Sequence, residues 1–576
     1  MAIKSTADKV ATIQKGYTLD GPTIELGAAI VDGELHKDAP VRLPLAMMNR
    51  HGLVAGATGT GKTVTLHMMA EQLSTAGVPV FLADIKGDLS GLATAATGSE
   101  KLLARTEGIG QAWSGKTFPV EFLALGGDGK GIPVRATITS FGPILLSRVM
   151  DLNETQESSL QLVFHFADKN NLELIDLKDL RAVIQYLTSA EGKDALEELG
   201  GLSKATAGVI LRELITLEAQ GMEKFFGEPE FDTAELLRTA PDGRGVVSCL
   251  ELPTLQTKPM LFSTFLMWLL ADLFEDLPEA GDLDKPKLVF FLDEAHLLFN
   301  GASKAFLDAI TTTVRLIRSK GVGIFFVTQT PKDVPADVLG QLANRVQHAL
   351  RAYTPEDAKA LKATVSTFPT SDYDLEETLT TAGIGEAVIT VLNENGAPTP
   401  VALTRLRAPE SVMGPSTDTL ISSTVAASAL LPKYGTAVDN ISAYEKITGK
   451  GAAPTGPAAG PARHEGGPAQ QDGGPAQQRG GLDPNAIDAE ARRIEEEILG
   501  RPSSRTAPAP GAPPDFGEAP ERRAPRPAQP RSGGIGGDLA GALGGGLQSM
   551  ARSLGTQLGR ELLRGVFGTS SKRRRR

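Results

Sequence analysis

The sequence predicts an α/β fold built around a parallel sheet, and three observations predict it. A short apolar stretch, 52–55, runs directly into a glycine-rich loop at 56–63 and then into a helical pattern from Val64 to Ala76. A run of large apolar residues, 288–292, ends in two adjacent carboxylates, Asp293 and Glu294. Further apolar runs at 78–83, 245–250 and 323–328 alternate with helical spacing. Strands buried on both faces read as continuous apolar runs, and strand–helix–strand alternation is the mark of a parallel sheet.

Taken in order, residues 1–50 predict a short β-rich segment, with extended stretches at Thr23–Leu26 and Pro40–Leu45 that could form a small β-layer. Residues 51–410 predict the main α/β domain. Within it, roughly 97–240 predicts a mainly helical insertion, because 153–167, 177–190 and 203–220 space apolar residues at i, i+3 and i+4. A strand-like patch at 131–140 interrupts that insertion, and 386–403 reads as β-rich. Residues 411–450 predict a linker or docking segment. Residues 451–536 are dominated by Pro, Gly and Ala, predicting disorder around a short helix at 484–499 that Asp483 can cap. Residues 537–576 carry an apolar stripe (Leu547, Met550, Leu554, Leu558, Leu562, Val566) and end in Lys572–Arg576, a basic amphipathic segment.

Composition excludes several classes. A single cysteine, Cys249, rules out a disulfide framework or a multi-cysteine zinc site and predicts a cytoplasmic setting. No secretory signal is expected in Met1–Lys15. The longest apolar run, 260–274, is broken by Ser263, Thr264 and Asp272 and predicts a buried helix rather than a membrane span. The net charge of −11 divides unevenly. Residues 451–576 hold 18 basic and 13 acidic side chains, leaving 40 and 56 for residues 1–450. An acidic body argues against whole-surface binding of nucleic acid but leaves room for a narrow basic channel in an assembly.

The glycine-rich loop reads Gly56-Ala57-Thr58-Gly59-Thr60-Gly61-Lys62-Thr63, followed by Val64. Glycines let such a loop curl so that successive N–H groups face a triphosphate. A lysine then supplies charge between the β- and γ-phosphates, and the next hydroxyl ligates Mg²⁺. Lys62 and Thr63 take those places. Asp293 is placed to hold the same Mg²⁺, and Glu294 to polarise the attacking water for in-line phosphoryl transfer. Gln329, at the end of the 323–328 strand, is placed to sense the γ-phosphate or that water. Asp84 follows another strand and admits two roles, organising Mg²⁺ or water, or shaping a turn with a cap at Asp88 or Ser90. His296 is expected on the helix after the carboxylates rather than in the chemistry. Arg315 and Arg318 sit on an amphipathic helix, 306–318. In a ring, one of them can reach a neighbour's γ-phosphate, with Arg318 favoured and Arg345 and Arg351 as further candidates.

The block 50–92, the Leu-Asp-Glu-Ala-His run at 292–296, the Val-Thr-Gln-Thr-Pro run at 327–331 and the segment 131–146 together resemble the HerA–FtsK superfamily of P-loop ATPases. Within it they look most like the bacterial YjgR-like branch of HerA-like helicases and ATPases. The resemblance spans roughly residues 20–410 and the basic C-terminal end. It implies a RecA-like P-loop NTPase core, ATP and Mg²⁺ as cofactors, and hexameric rings. By position it makes Lys62 and Thr63 the phosphate and Mg²⁺ residues, Asp293 and Glu294 the catalytic pair, Gln329 the sensor and Arg318 the trans arginine. DNA as the translocated polymer is implied by family analogy alone, since no DNA-contact motif is present. About 50 residues precede the phosphate loop, too few for the N-terminal barrel of HerA, and neither the membrane helices nor the winged domain of FtsK is found. A polypeptide cargo, or a nucleotide switch with little turnover, are the alternatives. Any nuclease or other protein partner would be a separate chain. The basic tail has three candidate partners: a membrane surface, nucleic acid or another subunit.

Overall fold

The computed structural model describes residues 4–449 apart from 199, 253–258, 282 and 301. The regions expected to be disordered, the helix expected at 484–499 and the basic segment 537–576 lie outside the described residues.

Twelve strands form one sheet. They are β1 (Thr23–Val31), β2 (Glu34–Pro44), β3 (Gly52–Ala55), β4 (Val80–Asp84), β5 (Val120–Leu125), β6 (Ile132–Val134), β7 (Val247–Glu251), β8 (Leu288–Leu292), β9 (Val322–Thr328), β10 (Asn344–His348), β11 (Glu386–Thr390) and β12 (Ala402–Leu406). Their order is β2-β1-β12-β11-β10-β3-β9-β8-β4-β7-β5-β6. Every pairing from β10 through β3 to β6 is parallel. From β10 outward through β11, β12, β1 and β2 every pairing is antiparallel.

Alternation along the parallel strands fills two cores, and a third, smaller cluster takes Val388 of β11. On β8, Leu288, Phe290 and Leu292 join the cluster beneath the insertion, whereas Val289 and Phe291 join the one around the helix Lys62–Thr75. Each such side chain taken out of water contributes roughly 1.5–3 kcal/mol. The run 260–274 belongs to the helix Pro259–Asp276, in which Phe265, Leu266, Trp268 and Leu269 are buried. Among the described residues no helix is long and apolar enough to cross a membrane.

The insertion is mainly helical, with helices at Glu154–Lys169, Leu177–Thr188 and Lys204–Ala219. Their starts follow from caps, since Asn153, Asp176 and Ser203 each accept a backbone N–H from the first turn. The same stretch also extends the parallel sheet. Only Ile132–Val134 of the patch at 131–140 is a strand, and Ile138–Phe141 turns helical behind a Thr137 cap. β5 was not anticipated. Its apolar run is interrupted by Glu121, which Arg238 neutralises at 2.8 Å.

The N-terminal stretches do not form a separate β-layer. β1 and β2 are a hairpin that joins the main sheet through β12, and the preceding helix, Thr6–Gly16, is started by a Ser5–Asp8 capping box. Residues 411–449 run back over the domain. Tyr434 is fully buried, its carbonyl accepts from Arg135 at 3.0 Å, and its hydroxyl accepts from the Asp232 N–H at 3.2 Å.

Candidate active site

Strand order gathers the candidate residues at one edge of the sheet. β3 delivers the glycine-rich loop, β8 delivers the two carboxylates, and β9 lies between them and delivers Gln329. All three strands are parallel, so all three C-terminal ends open on the same crevice.

The loop is tightly seated. Its first residue donates from Gly56 N to Thr328 O at 3.2 Å, Ala57 N donates to Ala349 O at 2.9 Å, and Gly385 N donates to Thr60 O at 3.0 Å. Gly56 is required here, because a Cβ would stand 2.4 Å from the Cβ of His348. Gly61 begins the helix Lys62–Thr75 in a left-handed conformation, at φ 116°. Thr58 and Gly59 form an exposed rim, and Thr63 and Val64 are half-buried in the first helical turn. Thr60 is buried, its hydroxyl donating to Ala57 O at 2.7 Å. Lys62 is buried and donates to Gly56 O at 2.8 Å. Burial lowers the pKa of its ammonium, and the charges of Glu294 and Asp293 offset only part of that shift.

Asp293 is buried, and its Oδ1 accepts the N–H of Glu294 at 2.9 Å. Burial and the neighbouring Glu294 charge push its carboxyl up to about 6. A cation would relieve that penalty. Among the described residues no group of three His, Cys, Asp or Glu forms a self-contained metal site. One carboxylate and one hydroxyl, Asp293 and Thr63, are the sparse oxygen set that suits an Mg²⁺ arriving with phosphates.

Glu294 has φ 46°, a left-handed conformation that costs a non-glycine residue on the order of 1–2 kcal/mol. Its surroundings hold it there. Lys86 Nζ makes an ion pair with Oε1, and His296 Nδ1 lies 3.2 Å from Oε2. Burial works against the Lys86 charge, but the bond to Glu294 and the charges of Asp293, Glu294 and Asp88 outweigh it and raise its pKa. His296 does begin a short helix, His296–Phe299, and it also touches the carboxylate, which the sequence reading did not anticipate.

Asp84 is committed to the turn that presents Lys86. Its Oδ1 accepts Gly87 N at 2.7 Å and Asp88 N at 3.2 Å, and its Oδ2 accepts Leu89 N at 3.0 Å. The turn-forming role is therefore the one its geometry displays. Gln329 is exposed and borders, with His296, Asn300 and Lys332, a groove of about 510 Å³.

Arg318 lies at the other edge. It follows the helix Lys304–Ile317, precedes β9 and sits near Arg50, just before β3. At about 3.3 Å per residue, β3 alone separates it from its own phosphate loop by roughly 13 Å. Arg315 is also exposed on that helix. Arg345 is held within β10 by Leu342 O and Thr367. Arg351 is exposed two residues beyond Ala349, on the phosphate-loop edge.

Three residues that the sequence did not single out help to build the site. Lys86 holds Glu294. His348 closes against Gly56 and bonds Thr65 Oγ1 at 2.9 Å. Arg105 donates to Gly385 O at 3.0 Å, behind the bond to Thr60.

Residues 30–506 match the family described as helicase HerA-like C-terminal. A curated relative, the DNA double-strand break repair helicase HerA of Saccharolobus solfataricus, is 22% identical over 383 residues, covering 65% of this chain and 67% of its own. Solved structures with some likeness include the plasmid coupling protein TrwB with a non-hydrolysable ATP analogue (15% identity, TM-score 0.46, covering 72% of this chain and 96% of that one). VirB4 of Thermoanaerobacter pseudethanolicus is another, at 15% identity and TM-score 0.41, covering 68% of this chain and 97% of that one.

Proposed function

The chain belongs to the helicase HerA-like C-terminal family, and on that footing we propose that it is an ATP-hydrolysing ring motor that acts on DNA. What supports the ATPase most directly is that β3 and β8 bring the loop of Lys62 and the pair Asp293 and Glu294 to one sheet edge, with β9, which leads into Gln329, between them.

In this proposal the loop N–H groups and Lys62 hold the triphosphate. Thr63 and Asp293 hold Mg²⁺, which would neutralise charge on the β- and γ-phosphates. Glu294 accepts the proton of the attacking water. Lys86 pairs with Oε1, whereas Oε2, 3.2 Å from His296 Nδ1, makes no hydrogen bond, so the carboxylate keeps one oxygen for the water. Gln329 senses the γ-phosphate at the mouth of the groove. Arg318 lies too far from its own loop to act in cis and would serve a neighbouring subunit of the homo-hexameric ring that this reading assigns to the protein.

DNA as cargo draws support from the HerA relative, described as a helicase of double-strand break repair. The acidic balance of residues 1–450, 56 acidic against 40 basic, favours a second reading in which the motor moves polypeptide. Steady-state ATPase with and without single- and double-stranded DNA separates the two. DNA stimulation that disappears in Lys62→Ala and Glu294→Gln supports the DNA motor. Robust turnover indifferent to DNA favours a protein cargo, and no turnover in an assembled, nucleotide-bound protein leaves a switch.

A further inference from the structure

Topology also says where the rest of the nucleotide must go. The carboxylates and Gln329 stand on the β8–β9 flank of the phosphate loop, so the γ-phosphate end of a bound triphosphate points there. The nucleoside end then leaves toward the opposite flank, where β10 and β11 end and begin. Two segments on that flank hold the loop by backbone bonds, Ala349 O from Ala57 N and Gly385 N to Thr60 O.

Those two segments carry Tyr353 and Ile384, 85% and 75% exposed, the most exposed large hydrophobic side chains among the described residues. Neither is a loose loop tip. Ile384 lies between Gly383, whose N–H donates to Glu386 Oε2 at 2.9 Å, and Gly385, whose carbonyl is held by Arg105 and by Leu406 N–H at 3.0 Å. Its backbone is fixed beside the phosphate loop while its side chain faces outward.

Tyr353 immediately precedes Thr354, the cap of the helix Pro355–Val365, and its N–H donates to Asp357 Oδ2 at 3.2 Å. An apolar residue at this position ordinarily packs on the fourth residue of the helix. Here that residue is Ala358, itself exposed, and it offers only a methyl group. The ring is left held at its base with a free face.

We propose that Tyr353 and Ile384 form the platform on which the base of the bound nucleotide rests, with Tyr353 stacking on it. The proposal deepens the ATPase function and rests on it. An aromatic face and an aliphatic edge give base affinity without hydrogen-bond readout, so the platform should take purines in general.

The test compares two ligands on the full chain with Mg²⁺: ADP, and inorganic tripolyphosphate, which has phosphates and no base. Tyr353→Ala should weaken ADP binding about ten-fold, within the range measured for base stacking on aromatic side chains. Tripolyphosphate affinity should stay the same, Tyr353→Phe should restore ADP binding, and Ile384→Ser should weaken ADP binding less. Equal loss of both ligands in Tyr353→Ala, or unchanged ADP affinity, overturns the platform. Unchanged ADP affinity with a smaller assembly by sedimentation assigns these side chains to a subunit interface instead. A wild-type chain that binds neither ligand overturns the phosphate site itself.

Discussion

Replacing Lys86 by alanine isolates the most specific contact in the candidate site. The ion pair joins a carboxylate whose side chain is 8% exposed to an ammonium that is 44% exposed. Exposed pairs contribute up to ~1 kcal/mol and fully buried ones several, so this half-exposed pair is worth about 1–2 kcal/mol. In the proposed mechanism Glu294 takes the water's proton on Oε2, which makes no hydrogen bond; its charge is then lost, the ion pair at Oε1 goes with it, and the barrier to turnover carries the cost. Lys86→Ala removes it, and unstimulated ATP turnover should rise about 5- to 30-fold. The assay is steady-state phosphate release at saturating ATP without DNA. The ratio of stimulated to unstimulated rate should fall, because the variant begins closer to its released state. Slower basal turnover at an unchanged melting temperature would refute the restraint and make Lys86 a residue that prepares Glu294 for catalysis.

Other outcomes follow from the same geometry. Asp293 has its carboxyl raised from 3.8 to about 6, so the fold favours its protonated form, and that contribution fades as pH rises through about 6. Asp293→Asn should therefore abolish turnover yet melt higher at pH 7.5, by on the order of 1–3 kcal/mol, with the advantage shrinking toward pH 5; thermal unfolding at the two pH values checks this. Gly56→Ala brings a Cβ to 2.4 Å from that of His348, and equilibrium binding should find Mg–ADP affinity lost while the circular dichroism spectrum is kept. His296→Ala removes the neighbour of Glu294 Oε2 and should alter turnover without changing ADP affinity, measured by a titration beside the kinetics.

The parallel core and the glycine-rich loop were legible because their signals are local. An apolar run leading into Gly56–Thr63, and another ending in Asp293 and Glu294, need no knowledge of distant chain. β10 was not legible, because its sequence, Asn-Arg-Val-Gln-His, looks unlike a buried strand. Its polar side chains are satisfied from afar, Asn344 by the carbonyls of Met47 and His51 and Gln347 by that of Ala55. Lys86 was quoted within a motif but given no role, since its partner lies 208 positions along the chain. The N-terminal strands were found, but their attachment to the sheet depends on β12, and no spacing in residues 1–50 encodes that. Asp84 kept two roles in the sequence because strand ends host both metal ligands and turn caps, and only hydrogen-bond partners distinguish them.

The helix that follows the phosphate loop is anchored unusually firmly for one so close to chemistry. His67, Glu71 and Ser74 point into protein rather than solvent, and Glu71 accepts from Glu410 N, Ser411 N and Ser411 Oγ. His67 Nδ1 is 3.2 Å from the same serine hydroxyl, and Ser74 donates to Gly245 O at 2.6 Å. Sliding this helix would break several buried polar bonds at once, each costing about 1–3 kcal/mol if left unmade. The nucleotide therefore meets an anvil on one side, and the recoil of hydrolysis is directed to the other. There the turn after β9 and the short helix after Glu294 border an open groove and have room to yield. A power stroke in this protein would accordingly leave by way of His296 and Gln329 rather than through the loop that grips the phosphates.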